Sequence, residues 1–539
     1  YCHEEEGRYD FEFFISDEQC RIVAATDTTV TIVVPDALSS GPSYMVIENQ
    51  IFYGPYFTVL GSVSVDDGFV YISGKTLDGV VYQCMPWCKN TPLTSEFYLC
   101  GDFYLDGATV SGAGRWGGVS MINNETGFVG RYISGKFYTY RGIPLATRFV
   151  NDGTELVLIP NEVRGMEYVK SEVAAGSPGV LIYGSFDKYQ SASGTFYYTN
   201  NNMALLKNDF SMPTASQTYY DSRGAKHSYA LSTFAGGTDE MILRGFTTAA
   251  GKIVAVGNFY HHKLSDYANS VCNTDGTFIV EEALTPATSV TRMELTGALD
   301  YSYRRDPSDP GQSLAGASGT IRDACMTDDE SIIIVGEISA FDGLPVANIV
   351  KLDANGQVDE AFLERVGSGA EGIIRKITHA SYRDAGGVQQ ERVLIVGNFT
   401  AFNGTPVKGL VMMDADGNVD ERFVLKEMEG GFPNFAKIVD LNANGNEVMP
   451  HVVISGTFNK YAGVIRRGFL ILDMNGDAIQ RFNVPGAFSG ELYDASYSLT
   501  SGNANGLLIV GNIYYFDGNP VNNIVMLQVD IEDNFTTNE

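Results

Sequence analysis

The stretch from Ser331 to Phe362, SIIIVGEISAFDGLPVANIVKLDANGQVDEAF, returns at Val393–Phe423 as VLIVGNFTAFNGTPVKGLVMMDADGNVDERF. It returns again at His451–Phe482, and at Leu507–Asp530 with its tail replaced. Each copy holds an apolar run closed by Gly, an aromatic turn with a second Gly, and a second apolar run. The first three add an Asn-Gly or Asp-Gly turn leading to Phe. A short β unit repeated in this way cannot bury its apolar face alone, so the copies must pack against one another.

Earlier and more worn copies are anchored on the glycine that closes the first run. Gly101, Gly184 and Gly257 join Gly336, Gly397, Gly456 and Gly511 to make seven. The spacing falls from 83 residues between Gly101 and Gly184 to 55 between Gly456 and Gly511, so insertions belong to the first half. Two such excursions are Asn200–Arg223, rich in Asn, Ser and Tyr, and His261–Thr291. In the cleanest copy Val393–Val396 is continuously apolar, as expected for an inner strand buried on both faces. Asn403-Gly404 and Asp416-Gly417 stand where hairpin turns belong, because Asx-Gly tolerates positive φ.

With 44% hydrophobic and 12% aromatic residues and 59 glycines, the chain is a folded all-β protein rather than a disordered one. Its 539 residues suit a small domain followed by a repeat array in which each unit needs only a local core. Units of two to four strands without helical periodicity fit a β-propeller, whose radial sheets leave no long edge open. We expect a small β domain over 1–60, a propeller of seven blades over 61–530, and an acidic tail over 531–539.

The first sixty residues read as strands at Phe11–Phe14, Arg21–Ala25, Thr29–Val34, Ser43–Glu48 and Tyr56–Val59. ATDTTVTIVVPDALSSGP, followed by Tyr53-Gly-Pro-Tyr-Phe57, resembles the second half of an immunoglobulin-like IPT/TIG domain. The later repeats resemble the delta-60 type of propeller repeat through Val396, Gly397, Phe399, Asn403, Gly404, Leu410, Asp414, Asp416, Gly417, Asp420 and Phe423. Together the two modules resemble surface lipoproteins encoded beside the SusC/SusD-type nutrient importers of Bacteroidota. That resemblance implies an outer-membrane accessory on the cell surface that binds a glycan or peptide. It also implies two partners, a SusC-like TonB-dependent transporter and a SusD-like lipoprotein. Cys2 followed by His-Glu-Glu-Glu resembles the export signal of such lipoproteins, so the lipid is expected on Cys2 or on a cysteine upstream of it.

The net charge of −29 argues against nucleic acid and anionic membrane surfaces as partners, leaving a lipid anchor as the expected membrane contact. No apolar run approaches the roughly 18 to 20 residues of a membrane helix. Seven cysteines are too few and too scattered for a disulfide scaffold, and Cys84 and Cys88 are the one close pair, open to a local disulfide, to a metal or to ordinary thiols. No cofactor is expected. The Asp414-x-Asp416-Gly417 type of loop could serve calcium but lacks the terminal acid of a calcium loop, and it recurs as a turn. No nucleophile elbow, zinc helix, Walker loop or dinucleotide fingerprint occurs, so no enzyme is expected. The rival readings are a structural or adhesive surface protein and a polysaccharide or peptide hydrolase. Binding would use aromatics in or beside the insertions, namely Trp87, Trp116, Tyr197, Tyr198, Tyr260, His261, Tyr514 and Tyr515. The recurrent Phe341, Phe402, Tyr461 and Phe516 occupy one repeat position and should be packing residues.

Overall fold

The computed structural model describes residues 9–531 apart from 67–68, 70–76, 87–95, 106–115, 124–126, 129–131, 134–135, 138–142, 145–147, 152–155, 160–161, 171–178, 191–196, 208–211, 385, 444–447 and 501–503. For the strand residues within 103–159, and for 77–78, 86, 96–98, 190 and 197, the description covers the strand path alone. The chain is nearly all β. Among the described residues the one α-helix is Glu360–Val366, capped by Asp359, whose carboxylate accepts from Phe362 N at 2.9 Å. The repeat pattern gave no sign of it. Its Phe362 is the phenylalanine that closes the repeat, and it is fully buried.

Seven sheets share one antiparallel order among the described residues, and the fold is a β-propeller. Their first strands are Leu77–Pro86, Glu162–Tyr168, Ile242–Thr247, Ala317–Met326, Ala370–Arg383, Pro433–Asp440 and Phe488–Leu499. Each pairs with a second strand that carries the repeat glycine, and a third strand lies beyond it, as in Ala370–Arg383, Gln389–Phe402 and Leu410–Met413. Each first strand packs on the next sheet's, and the seventh packs on the first, so the ring is closed. Val63–Val65, which precedes the first sheet, pairs with Ile524–Val529 as the outermost strand of the seventh. We therefore number the sheets as blades one to seven.

The run Val393–Val396 is buried on both faces, but it is second from the axis rather than innermost. The axial strands are harder to read because one of their faces meets the central space and carries polar residues. Hydrophobic clusters fill the wedges between blades. One joins Ile333, Val335 and Ile349 of blade four to Ile374, Ile395 and Val411 of blade five. Phe341, Phe402, Tyr461 and Phe516 are all buried. Asn403 and Gly404 have φ of 46° and 73°, the left-handed pair of a tight hairpin turn.

The N-terminal residues form one five-stranded antiparallel sheet, in the order Val30–Val33, Glu18–Ala25, Phe11–Ile15, Gly41–Ile47, Gln50–Phe57. It rests on blades six and seven. Ser40 N donates to Val484 O at 2.8 Å, Arg466 Nη2 to Ala37 O at 2.9 Å, and Tyr56 Oη to Asp517 Oδ1 at 2.9 Å. Arg467 pairs with Asp17 across the same seam.

Candidate functional site

The repeat glycine explains how the propeller builds its centre. In every blade the axial strand carries one extra residue opposite that glycine, a β-bulge. In blade five Ile374 pairs with Gly397 and Lys376 with Val396, leaving Arg375 unpaired between them. A Cβ on Gly397 would overlap Ile373 O and come within 2.9 Å of Arg375 N. Gly184, Gly336 and Gly511 meet the backbone of their own bulges in the same way. Glycine recurs there because the bulge folds backbone onto it.

Bulges re-aim side chains. The seven extra residues are Tyr82, Arg164, Leu243, Arg322, Arg375, Asn434 and Tyr493, one per blade, and all seven line a single cavity of about 260 Å³ on the axis. The residues that follow three of them, Arg244, Asp323 and Lys376, also line it, as do Glu337, Ile373 and Glu491. The glycine that marks the repeat therefore places a different side chain from each blade at one shared site.

At least one polar link joins each neighbouring pair of blades. Gln83 Oε1 accepts from Met166 N at 2.7 Å, and Thr247 Oγ1 donates to Tyr168 O at 2.9 Å. Arg244 pairs with Asp323 at 2.7 Å, and Asp323 also accepts from Ile377 N at 3.1 Å. Thr378 Oγ1 donates to Ala436 O at 2.8 Å. Lys437 pairs with Asp494 at 2.6 Å, and Asp494 closes the ring by accepting from Cys84 N at 3.1 Å. Burial disfavours the Arg244 charge, but Asp323 and the hydroxyl of Tyr183 outweigh it and hold its pKa above the ordinary value.

The wall combines rings and charges. Tyr82 and Tyr493 meet edge to face with centroids 5.2 Å apart, and the Arg164 guanidinium lies 4.4 Å over the Tyr82 ring. Tyr82 donates to Glu162 at 3.0 Å and Tyr493 to Glu491 at 3.2 Å. Burial raises the pKa of both phenols, that of Tyr493 to about 12, so both are hydrogen-bond donors at neutral pH.

Lys376 is buried between Phe435 and Tyr493 and donates to Tyr493 O at 2.9 Å. Burial pulls its pKa down to about 8, against the opposing attraction of Asp323. An unfolded lysine titrates near 10.4. Between these values the unfolded chain holds a proton that the folded chain has released, so this group's contribution to stability rises with pH from about 8 to about 10.4. Lys376→Met should flatten that rise. Denaturation midpoints of both proteins at pH 7.5 and pH 10 measure it, and equal pH dependence in the two would refute it.

Trp87 and Cys2 are outside the described residues, and only the strand path is described for Trp116 and Tyr197. Tyr198 is half-buried against the core of blade two. Tyr260 is exposed, and His261 Nδ1 lies 2.7 Å from Asp239 Oδ2, both at the base of the hairpin His261–Cys272/Phe278–Pro286 that forms the second excursion. Tyr514 is exposed and Tyr515 half-buried on blade seven, toward the N-terminal sheet. Of the expected residues whose side chains are described, Tyr198, Tyr260, His261, Tyr514 and Tyr515 are not among those lining the axial cavity. Cys84 is buried and free, while Cys88 lies outside the described residues. Asp414 Oδ1 accepts from Asp416 N and Asn418 N, and Asp353 and Asp473 make the same Asx-turn bonds. A set of three possible metal ligands, Asp328, His379 and Glu391, is tied up internally. Glu391 Oε1 lies 2.8 Å from His379 Nε2 and accepts from Asp328 N at 2.7 Å.

A match to a known family agrees with the β-propeller. Residues 328–362 match a β-propeller family. That family is a domain of unknown function, DUF5122, and the matched segment covers the second and third strands of blade four. Residues 1–55 match another domain of unknown function, DUF5008. None of the curated proteins compared matches the chain. Among solved structures, a structural genomics protein of unknown function from Bacteroides thetaiotaomicron VPI-5482 aligns over 97% of this chain and 91% of its own. The identity is 10% and the TM-score 0.21. No helix among the described residues is long and apolar enough to cross a membrane.

Proposed function

We propose that this protein is a binding module of the bacterial cell surface that takes up a glycan or peptide segment in its axial cavity. In this reading it presents the ligand to a SusC-like TonB-dependent transporter with a SusD-like lid. The observation that supports binding is the convergence of one bulged side chain from each blade on a single cavity that holds two tyrosines, an amide and both signs of charge. Concave sites with a few convergent polar groups are the usual form of a small-ligand pocket. The importer context, the lipid anchor and the outer-membrane location rest on the resemblance of the two modules to SusC/SusD-associated lipoproteins.

The test has two arms. Purification of the native protein from membranes, followed by mass spectrometry, should recover a TonB-dependent transporter and a SusD-like protein, and a protein that runs alone and soluble would remove the importer context. Binding of a glycan and peptide panel by the purified chain should weaken at least tenfold in Tyr493→Ala, which removes one wall of the cavity. Retained ligand binding in that variant would move the site away from the axis.

A further inference from the structure

The charge in the cavity is opposite in tendency to the charge of the whole molecule. In a chain of net charge −29, five cations line the axial space against three carboxylates. Three of the cations are committed. Arg164 pairs with Glu162 at 2.7 Å, Arg244 with Asp323 at 2.7 Å, and Arg322 with Glu337 at 2.9 Å. The remaining two, Arg375 and Lys376, are consecutive residues of the blade-five axial strand. Strand neighbours ordinarily point to opposite faces, but the bulge brings both of these to the cavity. Lys376 donates to backbone carbonyls, and Arg375 is exposed with no hydrogen-bond or ion-pair partner among the described residues. Guanidinium groups recognise carboxylates by two parallel hydrogen bonds.

We infer that the axial cavity binds an acidic saccharide, with the sugar carboxylate on Arg375 beside Lys376. This deepens the binding reading above and rests on it. The other walls favour a sugar over an acidic peptide. Glu491 has one acceptor site used by Tyr493 and others left for hydroxyls, and Asn434 offers an amide. Tyr82 and Tyr493 add aromatic surface to the same wall. A volume near 260 Å³, at the small end for ligand pockets, suits one or two sugar rings at the end of a chain. An uncharged glycan would leave Arg375 without a carboxylate to meet, so the cavity should discriminate by charge.

Calorimetric titration of the full chain with glucuronate, tetragalacturonate, their neutral parent sugars and a tetrapeptide with a free carboxylate tests this. Uronates should bind at least tenfold more tightly than neutral sugars or the peptide. Arg375→Gln should lose most of that preference, while Arg375→Lys should recover part of it. Uronate affinity should fall as pH rises through about 8, where Lys376 loses its proton; the charged groups that face Lys376 are Asp323, Glu491, Asp494 and the Arg244 guanidinium. Neutral sugars that bind equally well and respond to Tyr493→Ala, but not to Arg375→Gln, would overturn the acidic class and leave the cavity as a binding site. Tighter peptide binding would overturn the saccharide. If nothing binds in a manner sensitive to Tyr493→Ala, both readings fail.

Discussion

Gly397→Ala should destabilise the protein far more than Gly404→Ala, seven residues further along the same turn-and-strand unit. At Gly404 φ is +73° and nothing lies within 4 Å of an added Cβ, so the substitution costs only left-handed backbone strain, about 1 kcal/mol. At Gly397 the new methyl would press on Ile373 O and Arg375 N, both backbone atoms of the bulge, which cannot turn aside as a side chain can. Overpacking of this kind costs on the order of 3 kcal/mol, and the relief available is to flatten the bulge and slip the axial strand by one residue. The slip would withdraw Arg375 from the cavity. Thermal unfolding followed by circular dichroism separates the two variants, and any bound ligand gives a second readout because only Gly397→Ala should damage the site. Equal melting temperatures for the two would show that the glycine is not held by the bulge.

This connection decides how much could be read from the sequence. The seven glycines, the apolar second strands and the Asn-Gly turns are legible because each answers to a local rule: burial on both faces, or positive φ. The axial strands are less legible because water and polar residues on their inner face erase the apolar run. In Ala370–Arg383, for example, Ile374 and Ile377 alternate with Arg375, Lys376 and Thr378. The bulge residue changes identity at every blade, so comparison of repeats passes over it. Sequence reasoning sought function in what does not recur and looked to the insertions, around Trp87, Trp116, Asn200 and Tyr260. The same rule also holds inside the repeat. A signal was present in Val81-Tyr-Gln83, Ile242-Leu-Arg244, Ile321-Arg-Asp323, Ile374-Arg-Lys376 and Leu492-Tyr-Asp494, an apolar residue, a large variable one and a polar one. Those triplets begin 15 to 23 residues before the repeat glycines, a variable distance set by hairpin length, which hides them from a fixed-period search.

Asp323→Ala should be the most damaging single change at the floor of the cavity. Asp323 holds three blades together: it pairs with Arg244 of blade three, accepts from Ile377 N of blade five, and accepts from Ala324 N of its own strand at 2.9 Å. Its side chain is almost wholly buried. Removing it leaves the Arg244 guanidinium without its carboxylate and the Ile377 and Ala324 N–H groups without that acceptor. Breaking one side of a buried pair costs about 3 to 5 kcal/mol, and the lower figure applies here because Arg244 keeps one edge on the cavity. The double variant Arg244→Met/Asp323→Leu should recover much of that loss, since two apolar side chains leave no charge stranded. A double-mutant cycle on unfolding midpoints gives the coupling directly. A cycle in which the two losses simply add would mean that the pair contributes nothing jointly, and that the ring is held by its hydrophobic wedges alone.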